Sequence, residues 1–218
     1  MNPVPHSPPL RFGDPAAFAE AAARAIADAL EAVLTRETVA VLAVPGGNTA
    51  RQVLPVLARL PLDWSRITLT LADERWVPPS DADSNEGLVR ALIPPMIEKR
   101  LTGLYRASLS LRDAPATLAQ TVPKSHVVFL GVGLDGHIAS IFPGDAANFA
   151  TGRFAAVVRP DHPRLTMTPA ALHEAELIII GFAGTAKHEI YDHALEAGPT
   201  EQLPVRHVME KAIIFLGP

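Results

Sequence analysis

A histidine that could perform acid–base chemistry lies at position 137, at the end of the glycine-rich segment Gly131 to His137. Asp135 precedes it by two residues. An imidazole in such a setting can take a proton from water and later release it, which contributes about 10²–10⁴-fold to a hydrolysis. An isolated histidine more often has a structural role. The glycine-rich turn and the nearby carboxylate nevertheless favour catalysis by His137, with Asp135 orienting the ring or binding substrate.

The segment Gly46-Gly47-Asn48-Thr49 has the composition of an anion-binding loop. It lies between a predicted strand and a predicted helix, where glycines allow close approach and the helix N-terminus offers unpaired N–H groups. A phosphate would fit such a site. Asn48 or Thr49 could instead cap the helix, and both interpretations can hold together.

Three cationic side chains, Arg75, Arg164 and Lys187, also follow predicted strands. Arginine can bind phosphate or carboxylate oxygens through two parallel hydrogen bonds, and lysine supplies a point charge. Each of them alone would more often be a solvated surface residue. Asp73 is a candidate for substrate binding, but Asp73 and Glu74 could equally be ion-pair partners that orient Arg75.

The elements that would position these residues alternate between strands and helices. Asp14-Pro15 is a helix-start signal, and the apolar spacing predicts a helix over 15–34. A second helix is predicted at 49–60. A third begins at Asp83, with Glu86 in capping-box position. A fourth follows the cluster at 184–187 and ends at about residue 195. Strands are predicted at 38–44, 67–72, 126–130, 154–158, 177–181 and 213–216. The alternation indicates one α/β domain over 1–218 with a mostly parallel sheet, preceded by a loose arm at 1–13.

The candidate residues share one position relative to the predicted strands. Polar or glycine-rich clusters follow five strands at 46–49, 73–75, 131–137, 159–164 and 184–187. Ligands of open parallel sheets bind outside the carboxyl ends of the strands. We therefore expect these clusters, which include Gly133, to form one cleft.

The spacing Gly131-x-Gly133-x-x-Gly136 also matches the pattern of dinucleotide-binding proteins. The following helix would be broken at Pro143-Gly144, and the acidic residue expected about twenty positions further on is absent. A dinucleotide cofactor is therefore disfavoured.

Composition excludes other classes of site. The chain has no cysteine, so disulfides, thiolate catalysis and cysteine metal sites are excluded. His188 and His193 do not face each other on a helix, so no metal site is expected. The net charge of −4 argues against nucleic-acid binding, and no segment has the length of a membrane span or the pattern of a signal peptide. We expect a cytoplasmic monomer or weak homodimer.

The chain resembles the 6-phosphogluconolactonase family through motifs spread over roughly 45–190. One motif is the segment from Gly131 to Gly144, which contains Asp135-Gly136-His137-x-Ala139-Ser140-x-Phe142-Pro143-Gly144. The others are Pro45-Gly46-Gly47-Asn48-Thr49, Asp73-Glu74-Arg75-Trp76-Val77-Pro78, Asp83-Ser84-Asn85, Arg164-Leu165-Thr166-Met167-Thr168 and Gly184-x-x-Lys187.

The resemblance implies a Rossmann-like α/β fold with helices on both faces of the sheet, and a lactonase without a cofactor. His137 would be the general base, and Arg75 and Asp135 would lie beside a phosphorylated sugar lactone. Residues 46–49, Arg164 and Lys187 would hold its phosphate. Two alternatives remain open: an amino-sugar phosphate deaminase or isomerase, and a non-catalytic sugar-phosphate-binding domain.

Overall fold

A computed structural model describes residues 8–218, and it contains ten strands and seven α-helices within that range. The strands are β1 (Leu10–Arg11), β2 (Ala40–Val44), β3 (Ile67–Leu71), β4 (Asp73–Arg75), β5 (Leu101–Thr102), β6 (Val127–Gly131), β7 (Phe154–Val157), β8 (Arg164–Met167), β9 (Leu177–Ala183) and β10 (Ala212–Gly217). The helices are α1 (Pro15–Leu34), α2 (Gly47–Leu57), α3 (Asn85–Leu92), α4 (Pro95–Glu98), α5 (Ala114–Thr121), α6 (Pro169–Glu174) and α7 (Ala186–Leu195).

Seven strands form a central parallel sheet in the order β1-β10-β9-β6-β2-β3-β5. From β2 the sheet continues through β3 and β5 in one direction, and from β6 through β9 and β10 in the other. The order reverses between β2 and β6, which pair directly through Leu42 and Val127. Such a reversal leaves a crevice between the loops that follow the two strands. The predicted α/β fold is confirmed.

Helix capping and apolar burial explain α1 and β2, two elements that the sequence predicts. Asp14 accepts a hydrogen bond from the amide of Ala17, and Pro15 occupies the first turn of α1. Phe18, Ile26 and Leu30 are fully buried on one face of this helix. Every residue of β2 is buried, as its continuous apolar sequence predicted.

A second, antiparallel sheet with the order β4-β8-β7 packs beside the first. The strand predicted at 154–158 forms as β7, but it belongs to this small sheet. Its neighbour β8 begins at Arg164, the last residue of the polar cluster predicted at 159–164, and no strand was predicted there. In β8, Thr166 faces Asp73 and Arg164 faces Arg75, so the small sheet carries residues to the end of the parallel sheet.

The prediction of a loose arm over 1–13 is wrong for residues 10–12. Leu10 and Arg11 pair in parallel with β10, and the ring of Phe12 stacks on Phe215 with centroids 6.0 Å apart. Backbone pairing with β10 and the packing of the Phe12 ring hold this segment, although Leu10 itself is 47 % exposed. Residues 1–7 of the predicted arm lie outside the described residues.

The start of α3 also differs from expectation, because Ser84 rather than Asp83 is the N-cap. The Ser84 hydroxyl accepts a hydrogen bond from the amide of Gly87. This shift removes Glu86 from capping-box position, and its carboxylate pairs with Arg90 at 2.7 Å instead. Among residues 8–218 there is no helix with the length and apolarity needed to cross a bilayer.

Candidate active site

A cleft of about 190 Å³ opens where the loops after β2 and β6 diverge. Ten of the eleven predicted site residues line it, and Asp135 does not. The lining residues are Pro45, Gly46, Gly47, Asn48, Thr49, Asp73, Arg75, Asn85, Gly131, Val132, Gly133, His137, Ala139, Arg164 and Lys187.

His137 and Asp135 form a hydrogen-bonded pair at the edge of the cleft. Nδ1 of His137 lies 2.5 Å from Oδ1 of Asp135, and the His137 amide donates to the same oxygen at 3.2 Å. An ionised carboxylate only accepts hydrogen bonds, so Nδ1 carries the proton and Nε2 remains an acceptor. The imidazole is 31 % exposed, which leaves it accessible to water.

The pair also determines the charge of Asp135. Partial burial raises the pKa of Asp135, but attraction to His137 and the hydrogen bonds from its ring and amide outweigh burial and hold the pKa below its ordinary value. Asp135 therefore stays anionic behind the ring, and it contacts His137 rather than the cleft.

The absence of a side chain at Gly133 makes room for the imidazole of His137. A Cβ atom at this position would lie 2.0 Å from Nδ1 and 2.1 Å from Cε1 of His137. The turn continues through Gly136, whose φ of 79° lies in the left-handed region that favours glycine. The next helical turn in the described chain is Ala146–Phe149, so the dinucleotide-like spacing shapes a tight loop and is not followed by a helix.

The second half of this loop is anchored to the core and to the small sheet. Ile138 and Ile141 are fully buried. The Ser140 amide donates to the hydroxyl of Thr166 at 3.1 Å, and the Ser140 hydroxyl donates to Asp73 at 2.5 Å. Ala139, between them, has a φ of 48°, a conformation that costs roughly 1–2 kcal/mol for a residue with a side chain. These anchors fix the loop that carries His137.

Arg75 and Arg164 form a cationic wall of the cleft. Nη1 of Arg75 donates to the backbone oxygen of Asp83 at 2.7 Å, and Arg164 pairs with Asp161. In the part of the chain that the structure describes, Nε of each arginine is buried without an acceptor. A buried donor without a partner costs about 1–3 kcal/mol. An anion in the cleft would offset the cost of this arrangement.

Lys187 contributes a third cation from the first turn of α7. Its backbone amide donates to Gly184, and within residues 8–218 no hydrogen bond or ion pair involves its ammonium group. Burial lowers the pKa of Lys187 because a charged ammonium loses solvation there. A neighbouring anion would favour the charged form.

The anion-binding loop after β2 forms the start of α2. Gly46 is the N-cap, so no side chain caps this helix, and Asn48 and Thr49 lie inside its first turn. The alternative that Asn48 or Thr49 caps the helix is therefore wrong. Residues 46–49 line the cleft, and the unpaired amides at the beginning of a helix suit an anion bound there.

Glu74 has a structural role that sequence reasoning did not identify. Its carboxylate accepts hydrogen bonds from the amides of Asn85 and Glu86, both at 2.7 Å, and from the Ser84 hydroxyl at 3.1 Å. It thus caps α3 rather than forming an ion pair with Arg75. Burial raises the pKa of Glu74 to about 7, although these hydrogen bonds oppose the rise.

Asn85 is a cleft residue that the predictions omitted. Its side-chain amide donates to the backbone oxygen of Asp73 at 2.9 Å. A Cβ atom at Gly46 would lie 1.9 Å from Oδ1 of Asn85, so the glycine makes room for this side chain. The sequence signals were the serine before it, which marks a helix start, and the motif Asp83-Ser84-Asn85, but neither indicates the approach to a loop 39 positions earlier.

The arrangement suits hydrolysis of an anionic ester. One imidazole nitrogen is free to accept a proton, a carboxylate stabilises the ring behind it, and three cations and helix-start amides surround the same space. In residues 8–218 no cluster of three or more histidine, cysteine or acidic side chains could hold a metal ion.

Comparison with known proteins agrees with this chemistry. Residues 13–215 match the family described as Glucosamine-6-phosphate isomerases/6-phosphogluconolactonase. The chain is 35 % identical over 216 residues to a 6-phosphogluconolactonase of Rhizobium meliloti (strain 1021), covering 92 % of this chain and 93 % of the relative. It is 37 % identical over 209 residues to a 6-phosphogluconolactonase of Pseudomonas aeruginosa, covering 89 % and 88 % of the two chains.

Solved structures show the same similarity. A 6-phosphogluconolactonase from Shewanella baltica OS155 superposes with a TM-score of 0.87 at 28 % identity, over 96 % of this chain and 97 % of the other. A monomeric glucosamine-6-phosphate deaminase, at 19 % identity and a TM-score of 0.83 over 97 % of each chain, shares the fold.

Proposed function

Because this chain belongs to the glucosamine-6-phosphate isomerase/6-phosphogluconolactonase family, we propose that it hydrolyses 6-phospho-D-glucono-1,5-lactone to 6-phospho-D-gluconate in the oxidative pentose phosphate pathway. The observation that carries this proposal is the His137–Asp135 pair at the edge of a cleft that three cations also line. A lactone is an activated ester, so one general base suffices and neither a metal nor a covalent nucleophile is needed.

The phosphate binds first in the proposed reaction. Arg164, Lys187 and the amides of residues 46–49 hold it, since all line the same cleft. Binding energy at this remote group positions the lactone ring against His137. Gly133 and Asp73 complete the surface on which the ring lies.

The chemistry then proceeds through Nε2 of His137. This nitrogen takes a proton from a water molecule, and the resulting hydroxide attacks the C1 carbonyl. Arg75 stabilises the oxyanion that forms. The imidazolium returns the proton to the ring oxygen as the C1–O bond breaks. Asp135, a positioning residue behind Nδ1, stabilises the imidazolium.

We further propose that the chain acts as a single domain in the cytoplasm, as a monomer or weak homodimer. The substrate is a small phosphorylated sugar lactone. The net charge of −4 supports a role without nucleic acid.

The test is acid release from freshly prepared 6-phosphogluconolactone in a pH-stat. The wild type should accelerate release above the spontaneous rate, and His137→Ala should lower kcat by about 10²–10⁴-fold while binding 6-phosphogluconate as before. His193→Ala, at a histidine with 69 % of its side chain exposed, is the control. Unchanged turnover in His137→Ala would remove this residue from the mechanism. Ammonia release from glucosamine-6-phosphate, in place of lactone hydrolysis, would favour the deaminase alternative.

A further inference from the structure

The ring of Phe142 contacts three positively charged or titratable side chains at once. The imidazole of His137 lies 4.5 Å from its centroid at an interplanar angle of 36°. The guanidinium carbon of Arg159 lies 4.2 Å from the same centroid, and that of Arg164 lies 5.4 Å from it. Phe142 itself is only 7 % exposed, so its ring is a largely buried surface beneath side chains that reach solvent.

The backbone behind Phe142 is fixed by a separate network. The side-chain amide of Asn148 donates to the backbone oxygen of Phe142 at 2.7 Å and to that of Asp145 at 2.9 Å. Oδ1 of Asn148 lies 3.0 Å from Nε2 of His207. Asn148 is buried, which shields these bonds from competition with water. The aromatic ring is therefore a fixed surface against which the three polar side chains rest.

The charges around this ring need compensation. Asp135 pairs with His137 and Asp161 pairs with Arg164. Across the described chain, Arg159 makes no ion pair and no side-chain hydrogen bond, so among the protein groups only the aromatic ring compensates its charge. In the proposed reaction His137 gains a positive charge beside these arginines. The negative face of an aromatic ring attracts each of these charges and offsets their mutual repulsion.

We propose that Phe142 is a positioning residue for this reaction, holding the imidazole of His137 towards the cleft and stabilising its protonated form through the aromatic face. This inference depends on the proposed lactonase function. Because the stabilisation increases as His137 takes up a proton, it affects turnover more than substrate binding.

The experiment compares Phe142→Leu, which removes the aromatic face, with Phe142→Tyr, which keeps it. Phe142→Leu should lower kcat by about tenfold, the effect of one moderate cation–aromatic contact, while KM changes by less than about twofold. Phe142→Tyr should retain most of the wild-type kcat. Phe154→Leu is the matched control, because Phe154 is 6 % exposed, close to the 7 % of Phe142, and its ring lies beneath Arg153 rather than beside His137. It should leave both constants near wild type.

A second measurement reports the contact without requiring activity. Ring protons of His137 that lie over an aromatic ring are shifted in the proton NMR spectrum, and Phe142→Leu should remove this shift whereas Phe154→Leu should not. An unchanged His137 resonance in Phe142→Leu would overturn the proposal, as would equal losses of kcat in the leucine and tyrosine variants. Absence of lactonase activity in the wild type would instead refute the proposed function, so the two failures are distinguishable.

Discussion

Arg75 and Arg164 lie directly opposite one another across the antiparallel strands β4 and β8, and both side chains line the same cleft. Like charges in directly opposed positions destabilise a pair of strands. Each guanidinium group also has a buried Nε without an acceptor in the described part of the chain. A bound anion would relieve the repulsion, and we therefore expect this pair to bind the anionic group of a ligand.

The first prediction concerns stabilisation by the product. 6-Phosphogluconate at about 100 times its Kd should stabilise the wild type by about 2.7 kcal/mol, because it binds the native state alone. Gluconate, which lacks the phosphate, should raise Tm much less. In Arg164→Gln the response to 6-phosphogluconate should fall strongly, since one cation of the wall is lost.

Arg36→Gln is the control for this thermal-shift experiment. Arg36 pairs with Glu176 on the surface, with 49 % of its side chain exposed, and does not line the cleft. Its ligand-induced rise in Tm should equal that of the wild type. The same rise in Arg164→Gln would show that Arg164 does not bind the phosphate.

The five longer strands of the parallel sheet, β2, β3, β6, β9 and β10, could be predicted from sequence because most of their residues are buried. Ala40–Val44 and Val127–Gly131 are short apolar segments followed by glycine-rich turns, and each forms where the pattern placed it. Four of the five predicted clusters follow strands of this sheet. Local patterns therefore sufficed to bring His137 and the residues 46–49 together.

The antiparallel sheet could not be predicted in the same way. Its strands β4 and β8 are three and four residues long and include charged side chains, and they pair across about ninety positions of sequence. Neither has an apolar period that distinguishes it from a polar loop. Arg164 therefore reaches the cleft through a pairing with Arg75 that only the three-dimensional structure reveals.

A second prediction concerns the space left by Gly133. In Gly133→Ala the new methyl group would lie 2.0 Å from Nδ1 of His137 and 2.7 Å from Oδ1 of Asp135, so we expect the ring to move and its hydrogen bond to Asp135 to be disturbed. Turnover should fall by about 10²-fold or more, since misplacement of a catalytic group by about 1 Å has an effect of that size. Steady-state kinetics with the lactone measures it.

Gly152→Ala provides the matched glycine control. A Cβ atom there would meet its nearest neighbour, the backbone oxygen of Phe154, at an ordinary 3.6 Å. Its kinetics should match the wild type. Wild-type turnover in Gly133→Ala, with the fold verified by circular dichroism, would show that catalysis does not depend on the observed imidazole position.

A third prediction concerns Asp135. Asp135→Asn replaces a side chain that only accepts hydrogen bonds with one that can also donate them. Nδ1 of His137 can then be the unprotonated nitrogen, and Nε2 would carry the proton and could not act as the base. We expect kcat to fall by at least about tenfold with a smaller change in KM, because Asp135 contacts the ring and not the cleft. Asp113→Asn, at a helix start outside the cleft, is the control. A change confined to KM would instead place Asp135 in substrate binding.

The last prediction concerns the pH dependence of phosphate binding by Lys187. Burial lowers the pKa of Lys187 below its ordinary value of 10.5, so in the empty cleft the ammonium loses its charge at a lower pH than an exposed lysine does. The native state then binds fewer protons than the unfolded state between the lowered pKa and 10.5, and this group makes the free protein more stable as pH rises through that window. Binding of a phosphate has the opposite dependence, because it requires the charged form.

The Kd for 6-phosphogluconate, measured by titration calorimetry at increasing alkaline pH, should therefore rise as Lys187 loses its proton. In Lys187→Arg the guanidinium stays charged, so this rise should disappear over the same range. Lys124→Arg, at a lysine with 70 % of its side chain exposed and paired with Glu174, should retain the wild-type dependence. Identical curves for the wild type and Lys187→Arg would mean that the charge of Lys187 does not contribute to phosphate binding, and Arg164 with the amides of residues 46–49 would then have to hold the anion without it.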